Sequence, residues 1–290
     1  MKALLQTKNI LKSGWILVLT LASVSNLYAE MSSNFINLYK GVTPLKGDYE
    51  VIFNHRFNAP VTDSKPADLF GLDSGAVVGY GVNYGLTKRV ALGLYRTTLL
   101  RNYNASVMVN IFNDRREWPT PKKNDASSEW KDDAQAATPA KDDYDFFTLG
   151  VRASVSFMTL IETTHNFSAN GELALSKQFF GRFSIGATLY YVSKATGMDS
   201  FTAFWRENDM GFGLASEFRI FGGFFLLAET NIAFTRWSNR FYTYSAGLSY
   251  QTYGHDFKLF VTNSAGTTME AIAFSQVAAP RIGFSIVRAF

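Results

Sequence analysis

An all-β, transmembrane antiparallel barrel of about twelve strands is the fold class this sequence predicts, and three observations carry it. Segments of roughly ten residues alternate apolar with small or polar side chains, the period of a strand whose two faces meet different surroundings. The chain holds 26 Phe and 14 Tyr, yet its mean hydropathy is −0.02, so its apolar side chains are spread in alternation rather than gathered into runs. Finally, the chain ends on such a strand, Arg281 to Phe290, with Ile282, Phe284, Ile286 and Phe290 on one face and Gly283, Ser285 and Ala289 on the other. A bare apolar terminal strand invites pairing with other chains. Closing it onto the first strand removes the edge and makes a barrel.

The N-terminus reads as an export signal. Lys2, Lys8 and Lys12 precede the apolar run Trp15 to Ala22, and Ser25 to Ala29 follows with small residues, so residues 1–29 form a signal peptide cut near Ala29. That run is shorter than the roughly 20 residues of a spanning helix, and no later run approaches that length. Residues 30–46 mix polar and apolar types and are expected to be a periplasmic lead-in to a barrel of residues 47–290. With no cysteine, disulfides and thiolate metal sites are excluded. The formal net charge of +4 partly reflects the signal peptide and implies no nucleic-acid partner.

Along the mature chain, Asp48 to Asn58 sets Tyr49, Val51, Phe53, His55 and Phe57 against Asp48, Glu50, Asn54 and Arg56. Pro60 to Ser74 is a loop, and Gly75 to Gly85 joins a strand from Val90 through a tight turn at Leu86 to Arg89. The same period marks Tyr103–Phe112, Phe146–Phe157, Phe167–Phe179, Phe183–Val192, Met210–Ile220, Phe224–Thr235, Tyr242–Gln251 and Asp256–Asn263. An even strand count puts both termini on one side, expected to be the periplasm.

The runs Glu50 to Phe57, Asp68 to Asp73, Gly81 to Gly93 and His255 with Leu259 to Ser264 resemble an outer-membrane β-barrel family of Bacteroidota that is a domain of unknown function. The resemblance covers most of the mature chain and implies a fold and a compartment, the bacterial outer membrane, with no activity and no functional residue to carry over. Phe290 likewise resembles the terminal signal by which such barrels are handed to their assembly machinery. That machinery and the outer-membrane lipid are the partners implied.

Counting back from Phe290, short periplasmic turns fall at Tyr253 to His255, Phe221 to Gly223, Phe180 to Arg182 and Leu86 to Arg89. The connection 113–143, long and charged, falls on the same side although long loops belong outside, so either a strand pair is miscounted or the chain carries a periplasmic insertion, and the tight turns on both sides of it favour the insertion. Its Trp118 and Trp130, in otherwise polar sequence, are candidate anchors for a protein partner. The aspartates 132, 133, 142, 143 and 145 could in principle hold a hard cation, but interspersed lysines and the lack of an EF-hand spacing argue for a solvated loop. No metal and no cofactor are expected.

Cationic side chains on the lipid face should sit near strand ends, because one at the bilayer midplane costs about 2–4 kcal/mol. His55, Arg96, Lys177, Arg236 and Arg288 all do. The other face collects Glu50, Arg56, Arg152, Glu172, Glu217, Arg219, Glu229 and Lys258 as lumen charges. Pairing Phe157 with Phe167 sets Arg152 opposite Glu172. Inward glycines, among them Gly79, Gly81, Gly213 and Gly247, leave room beside Tyr95, Tyr190 and Phe225.

Two readings of the lumen stay open: a selectivity zone in a small passive pore, or charges that pair and hold the interior shut in a structural or partner-binding protein. A lipid-active enzyme would need Ser, His and an acid or amide together. His165, Ser168, Asn166, His55 and Asn54 supply the residue types without a motif, so no enzymatic activity is expected.

Overall fold

The computed structural model describes residues 32–113, 145–160, 166–193, 195–199, 202–206, 208–234, 242–252, 254–273 and 278–290. The strands are β1 (Tyr49–Phe57), β2 (Ala76–Gly85), β3 (Val90–Thr97), β4 (Asn102–Asn113), β5 (Phe146–Met158), β6 (Phe167–Phe179) and β7 (Phe183–Val192). A small separate hairpin, β8 (Ala195–Asp199) and β9 (Thr202–Arg206), follows. The series ends with β10 (Asp209–Phe221), β11 (Phe224–Ala233), β12 (Thr243–Thr252), β13 (His255–Thr262) and β14 (Arg281–Ala289). Among the described residues twelve of these strands close an antiparallel barrel in the order β1-β14-β13-β12-β11-β10-β7-β6-β5-β4-β3-β2. No helix of the described residues is long and apolar enough to cross a membrane.

Closure follows the route the terminal strand predicts. β14 pairs with β1 from Glu50 opposite Ala289 to Arg56 opposite Gly283. The Phe290 amide donates to the Tyr49 carbonyl at 2.9 Å, and their rings stack at 4.7 Å. The seam thus has no free edge at which another chain could pair.

Period two then sorts the side chains. Leu173, Leu189, Leu214 and Leu248 face outward at mid-height and are exposed, and Phe212 faces the same way. Exposed aromatics ring both ends, Tyr84, Phe183, Phe221 and Phe290 at one, Tyr103, Phe157, Phe167 and Tyr191 at the other. An apolar band between aromatic girdles is the exterior a bilayer selects. The outward cations lie near strand ends and rest on rings: Arg96 donates to the Tyr80 hydroxyl at 3.0 Å, Lys177 Nζ lies 4.8 Å from the Phe179 centroid, and the Arg288 guanidinium 4.4 Å from that of Phe290. Outward His55 stacks on Phe284 at 4.8 Å. Arg236 lies outside the described residues.

Both termini of the barrel, the turns at 86–89, 180–182 and 222–223, the end of β4 and the start of β5 share one end, as the strand count requires. Gly222 (φ 49°) and Gly254 (φ 76°) supply the left-handed backbone that tight turns at this end need.

The stretch before β1 departs from the expected lead-in. Residues 32–42 lie inside the barrel and, apart from half-buried Asn34, are buried, with Leu38 fully enclosed. They form a tight hairpin: Asn34 bridges Tyr39, Phe35 N–H donates to the Leu38 carbonyl at 2.8 Å, and Lys40 N–H to that of Ser33 at 2.9 Å. A second inserted piece, absent from the sequence reading, is the connection from β13 to β14. Its residues 264–273, including the single turn of helix α1 (Met269–Ile272), are buried towards the opposite end apart from half-buried Ala265 and Thr267.

Candidate functional site in the barrel lumen

The lumen is where the charges are, and each is placed by strand alternation. Glu50, Arg56, Glu172, Glu217, Glu229 and Lys258 are buried, and Arg152 and Arg219 are partly covered. Arg152 stands opposite Glu172 in register, and its Nε and Nη2 donate to the two carboxylate oxygens at 2.7 Å each. Such a fork-on-fork pair is strong in geometry, although desolvation offsets much of its gain.

The remaining acids have no base opposite them. Glu50 faces Asn83 and Ala289, Glu217 faces Ser184 and Leu227, and Glu229 faces Ala215 and Ser245. A buried charge without a partner is costly, and the hairpin 32–42 supplies what the wall lacks. Lys40 Nζ donates to both oxygens of Glu217, at 2.7 and 2.9 Å. Burial pulls this ammonium below the ordinary lysine range, and the adjacent carboxylate opposes the shift. Glu229 accepts the main-chain amides of Asn37 and Leu38 at 2.8 and 3.1 Å, and the Asn37 side-chain amide at 2.6 Å. Glu50 accepts the Ser33 amide at 2.9 Å.

The basic groups bind the same hairpin from other sides. Lys258 Nζ donates to the carbonyls of Asn34 and Phe35 at 2.8 and 2.6 Å. Arg56 donates to the Asn37 side-chain oxygen. Arg152 reaches the Asn34 side-chain oxygen at 3.0 Å and lies 5.1 Å from the Tyr39 ring centroid. Inward glycines make the room. A Cβ on Gly186 would stand 2.3 Å from the Phe35 ring, one on Gly213 2.5 Å from Leu38, and one on Gly150 2.6 Å from the Gly41 carbonyl oxygen. Gly79 and Gly81 instead accommodate Tyr95, and Gly247 the Phe260 side chain.

The second insertion is held by neutral donors. Glu270 accepts from the side-chain amides of Asn102 and of Asn170, the latter at 2.9 Å. Thr243 Oγ1 donates to the Ile272 carbonyl at 2.8 Å. Met269 and Ala273 pack on Tyr190 and Val192. The lumen is therefore occupied at two levels by the chain's own residues.

A charged interior, an apolar band and a closed seam together describe a barrel built to sit in a bilayer. Residues 31–290 match the family described as "Membrane bound beta barrel domain (DUF5777)". The chain belongs to this family. No curated protein matches it.

Among solved structures, the DUF5777 barrel is similar to the NanC porin at 11% identity and TM-score 0.47, covering 83% of this chain and 98% of that one. The COG4313 outer membrane channel from Pseudomonas putida F1 gives 10% and 0.45 over 90% and 100%. Outer membrane phospholipase A from Escherichia coli gives 13% and 0.41 over 88% and 95%. Likeness at these scores carries no residue and no activity across to this chain.

Other sequence-derived candidates in the DUF5777 barrel fare differently. Trp118, Trp130, His165 and the aspartates 132, 133, 142 and 143 lie outside the described residues. Asp145 accepts the Phe180 amide at 2.8 Å. Ser168 points inward and donates to Asn170 at 3.0 Å, whereas His55 lies on the outer wall, so the two are not brought together.

Proposed function

We propose that this protein is an outer-membrane channel for small polar solutes of unassigned specificity, closed at rest by its own N-terminal hairpin and by the 264–273 insertion. Its bacterium would belong to the Bacteroidota, as the sequence resemblance implies. On this reading residues 1–29 are a cleaved signal peptide and the end bearing the termini faces the periplasm. Phe290 then presents the barrel to the assembly machinery, with Trp118 and Trp130 left to a periplasmic partner.

One observation carries the channel reading. The wall keeps Glu217 and Glu229 without a base opposite in register, and the main groups that satisfy them sit on a separate piece of chain. A lumen filled only for stability is served as well or better by apolar side chains. Charges on a wall suit a passage that holds water when the filling leaves. The bidentate Arg152–Glu172 pair favours the second reading, a sealed structural barrel.

Planar-bilayer recording decides between them. Wild-type protein is expected to be nearly silent, and a variant lacking residues 32–43 with Glu270→Ala is expected to conduct steadily, with ion selectivity altered by Glu217→Gln. A correctly folded double variant that stays silent would leave the sealed barrel as the function.

A further inference from the structure

We infer that the half of the lumen now holding residues 32–42 is a binding site for short peptides that fold into a tight turn and carry a basic side chain. This deepens the channel reading and rests on it for the route by which a peptide reaches the wall.

The argument is in what the wall touches. Glu229 takes two consecutive main-chain amides, Asn37 and Leu38. Lys258 takes two consecutive main-chain carbonyls, Asn34 and Phe35. Thr148 donates to the Lys40 carbonyl at 2.8 Å and Thr188 to that of Tyr39 at 3.3 Å. None of these contacts depends on which side chain the bound residue carries. Main-chain hydrogen bonds of this kind give affinity for peptide in general, and side-chain pockets add preference. Such preferences are built in: Glu217 for an ammonium, the surface above Gly213 for an aliphatic side chain two residues earlier, where Leu38 sits, and Glu229, Arg56 and Arg152 for the carboxamides of Asn37 and Asn34. The wall thus reads main chain and side chain together, and the main-chain part is the feature all peptides share.

The site faces the end bearing the chain termini, so filling it requires only that the hairpin leave. The 264–273 insertion can stay in place.

The test uses the full barrel without residues 32–43, checked for folding by heat-modifiable migration and circular dichroism. Fluorescent ten-residue peptides are titrated by anisotropy: the sequence of residues 32–41, an unrelated sequence keeping only the Leu and Lys spacing, and the latter with Lys replaced by Gln. Both lysine peptides should bind the deleted barrel and not the wild type. The Gln peptide, or Glu217→Gln in the deleted barrel, should weaken binding at least tenfold. Binding by the native sequence alone, or by neither lysine peptide, overturns the inference and leaves the wall a seat for one segment. Conductance is read separately on the deleted barrel that also carries Glu270→Ala: one that conducts but binds no peptide sinks the peptide site only, while one that binds peptide without conducting supports the site and sinks the channel.

Discussion

The two pieces of chain that fill this lumen are held by different chemistry. The hairpin 32–42 is joined to the barrel on its C-terminal side through Gly47, whose amide donates to the Gly85 carbonyl at 2.8 Å. Its contacts with Glu217, Glu229 and Lys258 are charge-assisted. The 264–273 insertion is anchored at both ends by β13 and β14, and amide groups and apolar packing hold it. Tethering at both ends limits how far a segment can move, whereas with the proposed cleavage near Ala29 the hairpin would be tied on one side and could leave whole. The hairpin is thus the piece suited to exchange with an outside ligand, and the insertion the piece suited to narrowing the opposite mouth.

The largest effect should come from Gly150→Val. Even its Cβ would stand 2.6 and 2.7 Å from backbone atoms of Gly41, which side-chain movement cannot relieve. Hydrogen exchange is expected to show residues 32–42 losing protection while 264–273 keeps its own. Loss of protection in both would break the distinction. Next comes Glu229→Ala, which strips a carboxylate from two main-chain amides and should weaken hairpin seating by about 1.5–3 kcal/mol, the usual range for hydrogen bonds to a charged group. Limited proteolysis within 32–43 would read it, with cleavage rising roughly tenfold or more at the lower end of that range. Glu270→Ala should act on the insertion alone and leave hairpin proteolysis unchanged. Smallest is Gly171→Ala, where nothing lies within 4 Å of the new methyl: a shift of about 0.5 kcal/mol or less in detergent unfolding is expected. Gly171 lies on the outer face, between inward Asn170 and Glu172, so a large loss there would mean that a wall glycine serves strand geometry rather than the space beside it.

The wall was legible because period two records its two solvents directly. The alternation through Tyr80, Val82 and Tyr84, or Leu173 and Leu175, states which face meets lipid, and the Phe157–Phe167 pairing carries Arg152 to Glu172. The filling was not legible, because Ser32 to Val42 has neither a strand nor a helix period and its main partners are strand residues up to some two hundred positions away. One signal did exist. Once register is drawn, Glu217 and Glu229 have no base across from them, and unpaired buried acids call for donors from elsewhere in the chain. The insertion offered less: α1 spans only Met269–Ile272, too short for periodicity to reveal.

The hairpin's seat also fixes a chronology. Its contacts come from β1, β5, β7, β10, β11 and β13, strands that span nearly the whole sequence, so no part-built wall offers the complete set. The segment that precedes the wall in the sequence is therefore the last to find its final place, waiting until the closing strand has docked.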